Sequence, residues 1–332
     1  MSDPSNPDGP TNVTTDDTPD SDARRSFLRV CAATAAVAAA PRSLLAADTI
    51  APAPMAARAI PATGERLPVI GLGTNAYSVT DPAEIARRRA VVARLLDLGA
   101  RVIDTARAYG DSELVVGRIL ADLGARDRVF LATKTPIDGA LDDPAAIVEE
   151  TFRRLGTATI DLLQIHNMHG VDALLPAMRR LKEERRVRYL GATTSRDEQY
   201  SALLAAMRAH PLDFVQVDYS IANRNAAAEV LPLAAERGMG VLINMPFGGR
   251  RDGNLLRKLG DRPLPPWSAE IAAGTWAELL LKYVISHPAV TCAIPGTTSV
   301  VNVEANLRAA RGPMPDAAMR SRMETYWDSL AL

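Results

Sequence analysis

The sequence of 332 residues is poor in cysteine and histidine, and these scarcities exclude two kinds of site. The two cysteines, Cys31 and Cys292, are too few and too far apart to form a disulfide framework. The four histidines do not have the spacing of metal ligands, so we expect no metal site. The formal net charge is only −1, which argues against a surface that binds nucleic acid.

The sequence also lacks an apolar run that is long enough for a stable membrane anchor. The weakly apolar stretch CAATAAVAAA at 31–40 is too short to span a bilayer. It follows ARRSFLRV at 23–30, and this order of Arg24, Arg25, an aromatic residue and an alanine run resembles a twin-arginine export signal. We therefore expect a disordered tail and a signal peptide within 1–50, recognition by the twin-arginine export machinery, and a periplasmic location. A chance pair of arginines would instead leave the protein in the cytoplasm.

The remaining residues, 51–332, are numerous enough for a single barrel domain. The segment RAIPATGERLPVI predicts a short hairpin with its turn at Thr-Gly-Glu. After it, β-branched runs alternate with amphipathic helical patterns. The eight predicted strands are VIGLG (69–73), RVID (101–104), RVFLATK (128–134), TIDLLQIH (159–166), VRYLGATT (187–194), DFVQVDYS (213–220), GVLINM (240–245) and VTCAIPG (290–296).

The predicted strands show little alternation of polar and apolar residues, as expected when both faces of a sheet are covered. A helical pattern follows each strand, the one after the seventh strand at 268–287, and one more, at 315–329, follows the eighth unit. This arrangement predicts an α/β fold, a (β/α)8 TIM barrel with a short N-terminal hairpin and an extra C-terminal helix. A doubly wound open sheet is the alternative, but no Gly-x-Gly-x-x-Gly motif follows a strand.

Lysine is the scarcest charged residue, and the position of one lysine is informative. Only four of the 38 basic residues are lysines, and Lys134 alone follows a buried apolar run, at the end of the third predicted strand. A buried ammonium group needs an anion. Asp104, at the end of the neighbouring strand, can supply it, either as a purely structural ion pair or as part of a reactive site.

A reactive site becomes plausible when Tyr109 is added. A phenol, with a pKa of about 10, is too weak an acid to act at neutral pH. A cation at about 4 Å contributes roughly 4 kcal/mol at an effective dielectric constant of about 20, which favours the phenolate. His166, at the end of the next strand, can hydrogen-bond a carbonyl oxygen. Together these residues form a proton donor beside a carbonyl.

These residues resemble the active site of a known family. Asp104, Tyr109 in DTARAYGDSE, Lys134 in LATK and His166 in LLQIH match, in order and spacing, the four active-site residues of aldo-keto reductases. The resemblance extends over about residues 58–312. It implies a (β/α)8 barrel that binds NADP(H), or less often NAD(H), without a Rossmann fold, and that reduces aldehydes and ketones by hydride transfer with the tyrosine as proton donor.

The resemblance also implies a set of cofactor-binding residues around the nicotinamide and the pyrophosphate. Gln216 and Tyr219 match the family's amide-binding glutamine and a neighbouring aromatic position. Threonines replace the Ser-Asn pair that often holds the nicotinamide carboxamide, and a loop after the seventh strand offers backbone amides to the pyrophosphate. These further residues are Thr193, Thr194, Asn244, Pro246, Phe247 and Gly248.

The segment IPGTTSVVNVEANL resembles the family's adenosine-phosphate segment. Gly296 and Asn302 stand where many members have a lysine and an arginine, and Thr297, Thr298 and Asn306 are further candidate ligands. Two missing cations would weaken contacts to a 2′-phosphate. The family favours NADP, and these replacements leave NAD open.

Two other functions remain open at this point. The chain could bind a nicotinamide to sense redox state, or to contact a partner, without significant turnover. It could also be a barrel aldolase that forms a Schiff base at Lys134. The leading hypothesis is a monomeric reductase whose partner is a small carbonyl compound.

Overall fold

A computed structural model describes residues 54–249 and 253–332. The predicted tail and signal peptide at 1–50 lie outside these residues. Within the described part of the chain, no helix has the length and apolar character needed to cross a membrane. The same part contains no cluster of three or more side chains suited to binding a metal ion.

The N-terminal hairpin is present as predicted. Strands β1 (Ala57–Ala59) and β2 (Arg66–Pro68) pair in antiparallel register, with Arg58 opposite Leu67. Gly64 lies in the turn with a φ of 76°, a backbone conformation that favours glycine.

Eight parallel strands follow the hairpin, in an unbroken order from the last to the first. Isolated parallel bridges from Ile70 to Ala293 and from Gly73 to Gly296 join the two ends of the sheet, so the predicted barrel fold is confirmed. The strands are β3 (Leu72–Gly73), β4 (Val102–Asp104), β5 (Phe130–Lys134), β6 (Ile160–His166), β7 (Val187–Thr194), β8 (Phe214–Asp218), β9 (Gly240–Asn244) and β10 (Cys292–Ala293).

Closure of the barrel depends on a close approach of two chain segments. A Cβ atom at Gly73 would lie 2.8 Å from the Ile294 carbonyl oxygen, so a larger residue would push β3 away from β10. This junction adjoins the cavity described below.

Helices cover the outside of the sheet, and most of them lie where the sequence predicts a helix. Asp81 caps the first helix by accepting hydrogen bonds from the Ala83 and Glu84 backbone amides. The helices are α1 (Pro82–Asp97), α2 (Ser112–Asp122), α3 (Pro144–Leu155), α4 (Val171–Glu183), α5 (Tyr200–Ala209), α6 (Val230–Glu236), α7 (Leu255–Leu259), α8 (Trp276–Ile285), α9 (Val300–Arg308) and the extra C-terminal α10 (Ala317–Ser329).

Two helices differ from the prediction. The helix predicted at 268–287 begins only at Trp276, because Ala272 has a φ of 50° and Thr275 caps a new start. The short helix α7 was not predicted, and Asn254 caps it by accepting a hydrogen bond from the Arg257 amide.

Aromatic side chains fill the N-terminal end of the barrel. The ring centroids of Phe130, Tyr189 and Phe214 lie 5.5 to 5.9 Å from one another. Ile60, directly after β1, and Leu67, in β2, belong to the same buried cluster. Apolar groups therefore fill this end of the barrel, and the polar side chains described below lie at the other end.

Candidate active site

Inward-pointing polar residues occupy the C-terminal ends of six successive strands. Alternate residues of a strand face the same side, and the parallel register places His166 beside Thr193 and Thr193 beside Gln216. The polar side chains brought together in this way are Asp104, Lys134, His166, Thr193, Gln216 and Asn244. They line a cavity of about 790 Å³, a volume within the usual range of small-molecule binding sites.

Lys134 and Asp104 form a buried ion pair, as predicted. Lys134 Nζ donates hydrogen bonds to Asp104 Oδ2 at 2.5 Å and to the Thr105 carbonyl oxygen at 2.8 Å. Burial lowers the pKa of Lys134, but the Asp104 carboxylate and the Tyr109 phenol more than offset this and raise it. Lys134 is therefore a fixed positive charge at the closed end of the cavity.

Tyr109 lies directly beside this charge. Its loop leaves β4 and enters α2, and the Ser112 amide donates to the Tyr109 carbonyl oxygen at 3.1 Å. Lys134 Nζ is 5.2 Å from the centroid of the Tyr109 ring. The ring is half-buried and meets the His166 ring edge to face, with the centroids 6.1 Å apart. All four residues of the predicted reactive site thus lie together.

His166 is kept neutral by its surroundings. Burial, and then the positive charge of Lys134, lower the pKa of His166 from 6.5 to about 3. Its Nδ1 atom is buried and has no hydrogen-bond partner in the part of the protein that the structure describes. A neutral imidazole carries one N–H group, which can donate a hydrogen bond to a carbonyl oxygen.

This neutral histidine predicts a pH dependence of stability. Because the folded-state pKa lies below the unfolded value, the unfolded chain binds more protons between pH 3 and pH 6.5, and stability falls as pH falls through that interval. Between pH 6.5 and pH 5, His166 should account for a loss of about 2 kcal/mol in the free energy of unfolding. In urea unfolding at both pH values, the loss in His166→Gln should be smaller than the loss in the wild type by this amount, because His287, whose pKa is also lowered to about 4, contributes equally to both proteins. His210→Gln, at the end of α5, should behave as the wild type, and equal losses in all three proteins would contradict the assignment.

The two threonines of the predicted carboxamide site face opposite sides of β7. Thr193 lines the cavity, and so does Ser195, which was not predicted. Thr194 points away from the cavity, and its hydroxyl donates to Gln199 Oε1 at 2.5 Å. Gln199 in turn donates to the Asn167 carbonyl oxygen at 2.9 Å, in the loop that follows His166. Thr194 therefore supports the loop rather than the cavity wall.

Gln216 and Tyr219 also differ in their placement. Gln216 lines the cavity, and its Oε1 accepts a hydrogen bond from Gln164 Nε2 at 2.8 Å. Tyr219 is buried outside the main cavity, where its hydroxyl contacts Tyr283 Oη at 2.9 Å and accepts from Arg320 at 2.7 Å. The structure places Tyr219 in the wall of a smaller neighbouring cavity of about 410 Å³.

The loop after β9 lies along the cavity as the resemblance implied. Asn244, at the end of β9, and Pro246, Phe247 and Gly248 in the loop line the cavity. Gly248 has a φ of 85°, and a Cβ atom there would lie 2.2 Å from the Gly253 carbonyl oxygen, so this turn requires glycine. Asn244 Oδ1 is buried and has no hydrogen-bond partner among the described residues, which leaves it available to a bound molecule.

The predicted adenosine-phosphate residues extend away from the cavity. Gly296 lines the cavity itself. Thr297 and Thr298 are half-buried, Asn302 is exposed in the first turn of α9, and Asn306 is buried on the same helix.

Sequence reasoning missed several residues that line the cavity. Asn75 and Ser78 follow β3, Asn167 follows His166, and Asn254 precedes α7. Only their positions just after predicted strands could have identified the first three. Asn254 gave no such signal, because α7 was not predicted.

Comparisons with known proteins identify the family. A model of the aldo/keto reductase family matches residues 69–325. An aldo-keto reductase from Bacillus halodurans, solved in a holo form, is 26% identical over 82% of this chain and 96% of that chain, with a TM-score of 0.65. An aldo/keto reductase from Klebsiella pneumoniae, solved with NADP and acetate, is 28% identical over 79% of this chain and 93% of that chain, with a TM-score of 0.64. A Klebsiella pneumoniae structure with NADPH is 28% identical over 79% of this chain and 92% of that chain, with a TM-score of 0.65.

The chain therefore belongs to the aldo-keto reductase family and is an oxidoreductase. The family resemblance and the barrel that the sequence predicted are both confirmed.

Proposed function

We propose that the protein reduces an aldehyde or ketone to an alcohol, with Tyr109 as the proton donor. The observation that carries this proposal is the arrangement at the closed end of the cavity. The Lys134–Asp104 ion pair lies beside the Tyr109 ring, and a neutral His166 faces the same ring. A purely structural ion pair would need neither the phenol nor the imidazole.

The residues of the cavity fit a nicotinamide cofactor. Thr193, Ser195, Gln216 and Asn244 would hold its carboxamide with hydroxyl and amide groups, and the unpartnered Asn244 Oδ1 is a ready acceptor. The loop at 245–249 would supply backbone amides to the pyrophosphate. When bound, the cofactor supplies the hydride that reduces the carbonyl carbon. We propose NADP(H), since the Klebsiella pneumoniae neighbours are solved with NADP and NADPH, and keep NAD(H) as the alternative because Asn302 carries no charge.

The protein's own groups complete the reaction. His166 donates its N–H to the carbonyl oxygen and orients the substrate. As the carbonyl carbon accepts the hydride, negative charge develops on the oxygen, and Tyr109 transfers its hydroxyl proton there. Lys134 stabilises the phenolate that remains, and Asp104 keeps Lys134 charged and correctly aimed. The products are the alcohol and the oxidised nicotinamide.

The aldolase alternative is disfavoured by the state of Lys134. A lysine that forms a Schiff base must be uncharged when it attacks the carbonyl. Two of the three ammonium hydrogens are bound to Asp104 and Thr105, and the raised pKa keeps the group protonated.

The direct test is to mix the purified protein with NADPH or NADH and a panel of aldehydes and ketones. We expect the absorbance of the reduced nicotinamide to fall only when a carbonyl compound is present, with a larger kcat/KM for NADPH. Tight cofactor binding without turnover on any carbonyl would instead support the redox-sensing alternative. Borohydride trapping of a carbonyl compound on Lys134 would support the aldolase.

We also propose that the protein is exported by the twin-arginine route. The support is the order of charged, aromatic and small residues at 23–40. Cell fractionation should find the wild type in the periplasm and Arg24→Lys/Arg25→Lys in the cytoplasm, whereas equal cytoplasmic retention of both would overturn this proposal.

A further inference from the structure

A buried carboxylate outside the cavity lies directly behind the loop that carries Tyr109. Glu113 is in the first turn of α2, four residues after Tyr109, and its side chain is fully buried. Burial raises its pKa, while hydrogen bonds from Thr133 and the charges of Arg107 and Arg154 oppose this. The proposed reaction uses none of these groups, so the cluster needs its own explanation.

Glu113 joins two parts of the site through its two oxygens. Oε1 accepts a hydrogen bond from Thr133 Oγ1 at 2.7 Å. Thr133 directly precedes Lys134 on β5 and, by strand alternation, faces the helices while Lys134 faces the cavity. Oε2 accepts from Arg154 Nε at 3.1 Å. The carboxylate therefore links the strand that ends in Lys134 to helix α3, where Arg154 lies.

Arg154 binds the Tyr109 loop at two further points. Its Nη2 atom donates to the Gly110 carbonyl oxygen and lies 3.6 Å from Asp111 Oδ1. Gly110 has a φ of 58°, so the chain turns sharply immediately after Tyr109, and the guanidinium group holds that turn. Ser78 Oγ accepts from the Asp111 amide at 2.9 Å and holds the turn from the other side.

We infer that Arg154 is a positioning residue that, through Glu113 and Gly110, fixes the Tyr109 phenol relative to the Lys134 ammonium group. Arg154 is not among the residues that line the cavity, and its hydrogen bonds and ion pairs in the described part of the chain go to Glu113, Gly110 and Asp111, so it acts through the segments that bear Tyr109 and Lys134. This inference rests on the proposed role of Tyr109. It adds a connection that would hold the end of β5 and the Tyr109 loop at a fixed distance from each other.

A matched pair of variants tests the inference. Arg154→Met removes the guanidinium group, whereas the control Arg153→Met changes the preceding residue of α3, which is 68% exposed and pairs with Glu150. We expect Arg154→Met to lower kcat by roughly 10²-fold, since small displacements of a reacting group have effects of this size. The dissociation constant for NADPH should stay within about threefold of the wild type in both variants. Arg154→Lys should restore part of kcat.

A second readout separates positioning from loss of stability and does not depend on turnover. In protein with ¹³C-labelled tyrosine, the Tyr109 ring resonance is assigned from its absence in Tyr109→Phe. Its chemical shift should change in Arg154→Met and stay as in the wild type in Arg153→Met. Should Arg154→Met fold poorly, the double variant Glu113→Gln/Arg154→Met removes the unpaired carboxylate and is measured in its place.

Unchanged kcat and an unchanged Tyr109 resonance in a folded Arg154 variant would overturn the inference. So would a fall in kcat that merely matches the unfolded fraction. If the wild type itself reduces no carbonyl compound, the proposed function fails, while the resonance measurement still reports whether Arg154 positions the phenol.

Discussion

Tyr109→Phe should lower kcat for carbonyl reduction by roughly 10²- to 10⁴-fold, which is the usual contribution of a general acid. The substitution removes only the hydroxyl group, so the aromatic ring can still lie over Lys134 and against His166. Without the hydroxyl, the developing alkoxide loses the group that we propose as its proton donor. Stopped-flow and steady-state measurements of NADPH oxidation would give kcat, and a fluorescence titration would give the cofactor dissociation constant.

The dissociation constant should change little, because the groups that we propose hold the cofactor lie on or directly after β7, β8 and β9 and not on the Tyr109 loop. Tyr326→Phe is a suitable control. Tyr326 lies on α10, stacks on Trp276, and is not among the residues that line the cavity. Turnover of Tyr109→Phe within tenfold of the wild type would count against this phenol as the proton donor.

The reactive residues could be predicted from the sequence because each stands at the end of an apolar strand. A charged residue such as Lys134 after the run FLAT has to be explained, and strand order places it next to Asp104. The (β/α)8 fold then brings every strand end to one rim. The barrel, the N-terminal hairpin and the C-terminal helix followed from the same pattern of alternating elements.

The cofactor side was harder to predict because it depends on which side of a strand each residue faces. Thr193 and Thr194 are chemically alike, yet a single step along β7 turns one into the cavity and the other toward Gln199. Tyr219 lies beyond the end of β8, where strand alternation no longer applies. Its hydroxyl is bound by Arg320, which is 101 residues away in the sequence, and no local pattern reveals such a partner.

Supporting residues were also hidden from sequence reasoning. Gln164 is polar in the middle of a largely apolar strand, and only the folded structure shows that it donates to Gln216, two strands away. Arg154 looks like any arginine on an amphipathic helix, since the sequence does not show that Glu113 is buried opposite it. Contacts of this kind form only when tertiary packing brings together residues that are far apart in the sequence.

Lys134→Met should both abolish turnover and destabilise the fold. The Lys134 and Asp104 side chains are only 1% and 3% exposed, so removing the cation leaves a carboxylate that is buried without its partner. Loss of one member of a buried ion pair typically lowers the free energy of unfolding by about 3–5 kcal/mol. Urea unfolding at neutral pH would measure the change. Lys258→Met, at an exposed position on α7, should leave both stability and turnover near the wild-type values.

The double variant Lys134→Met/Asp104→Asn separates the two effects of the ion pair. It removes the unpaired charge, so it should recover much of the stability that Lys134→Met loses. It should not recover turnover, because the phenolate of Tyr109 would still lack the neighbouring cation that stabilises it. If the double variant regained both stability and carbonyl reduction, the Lys134–Asp104 pair would be a structural element only, and the proposed proton transfer from Tyr109 would need a different source of stabilisation.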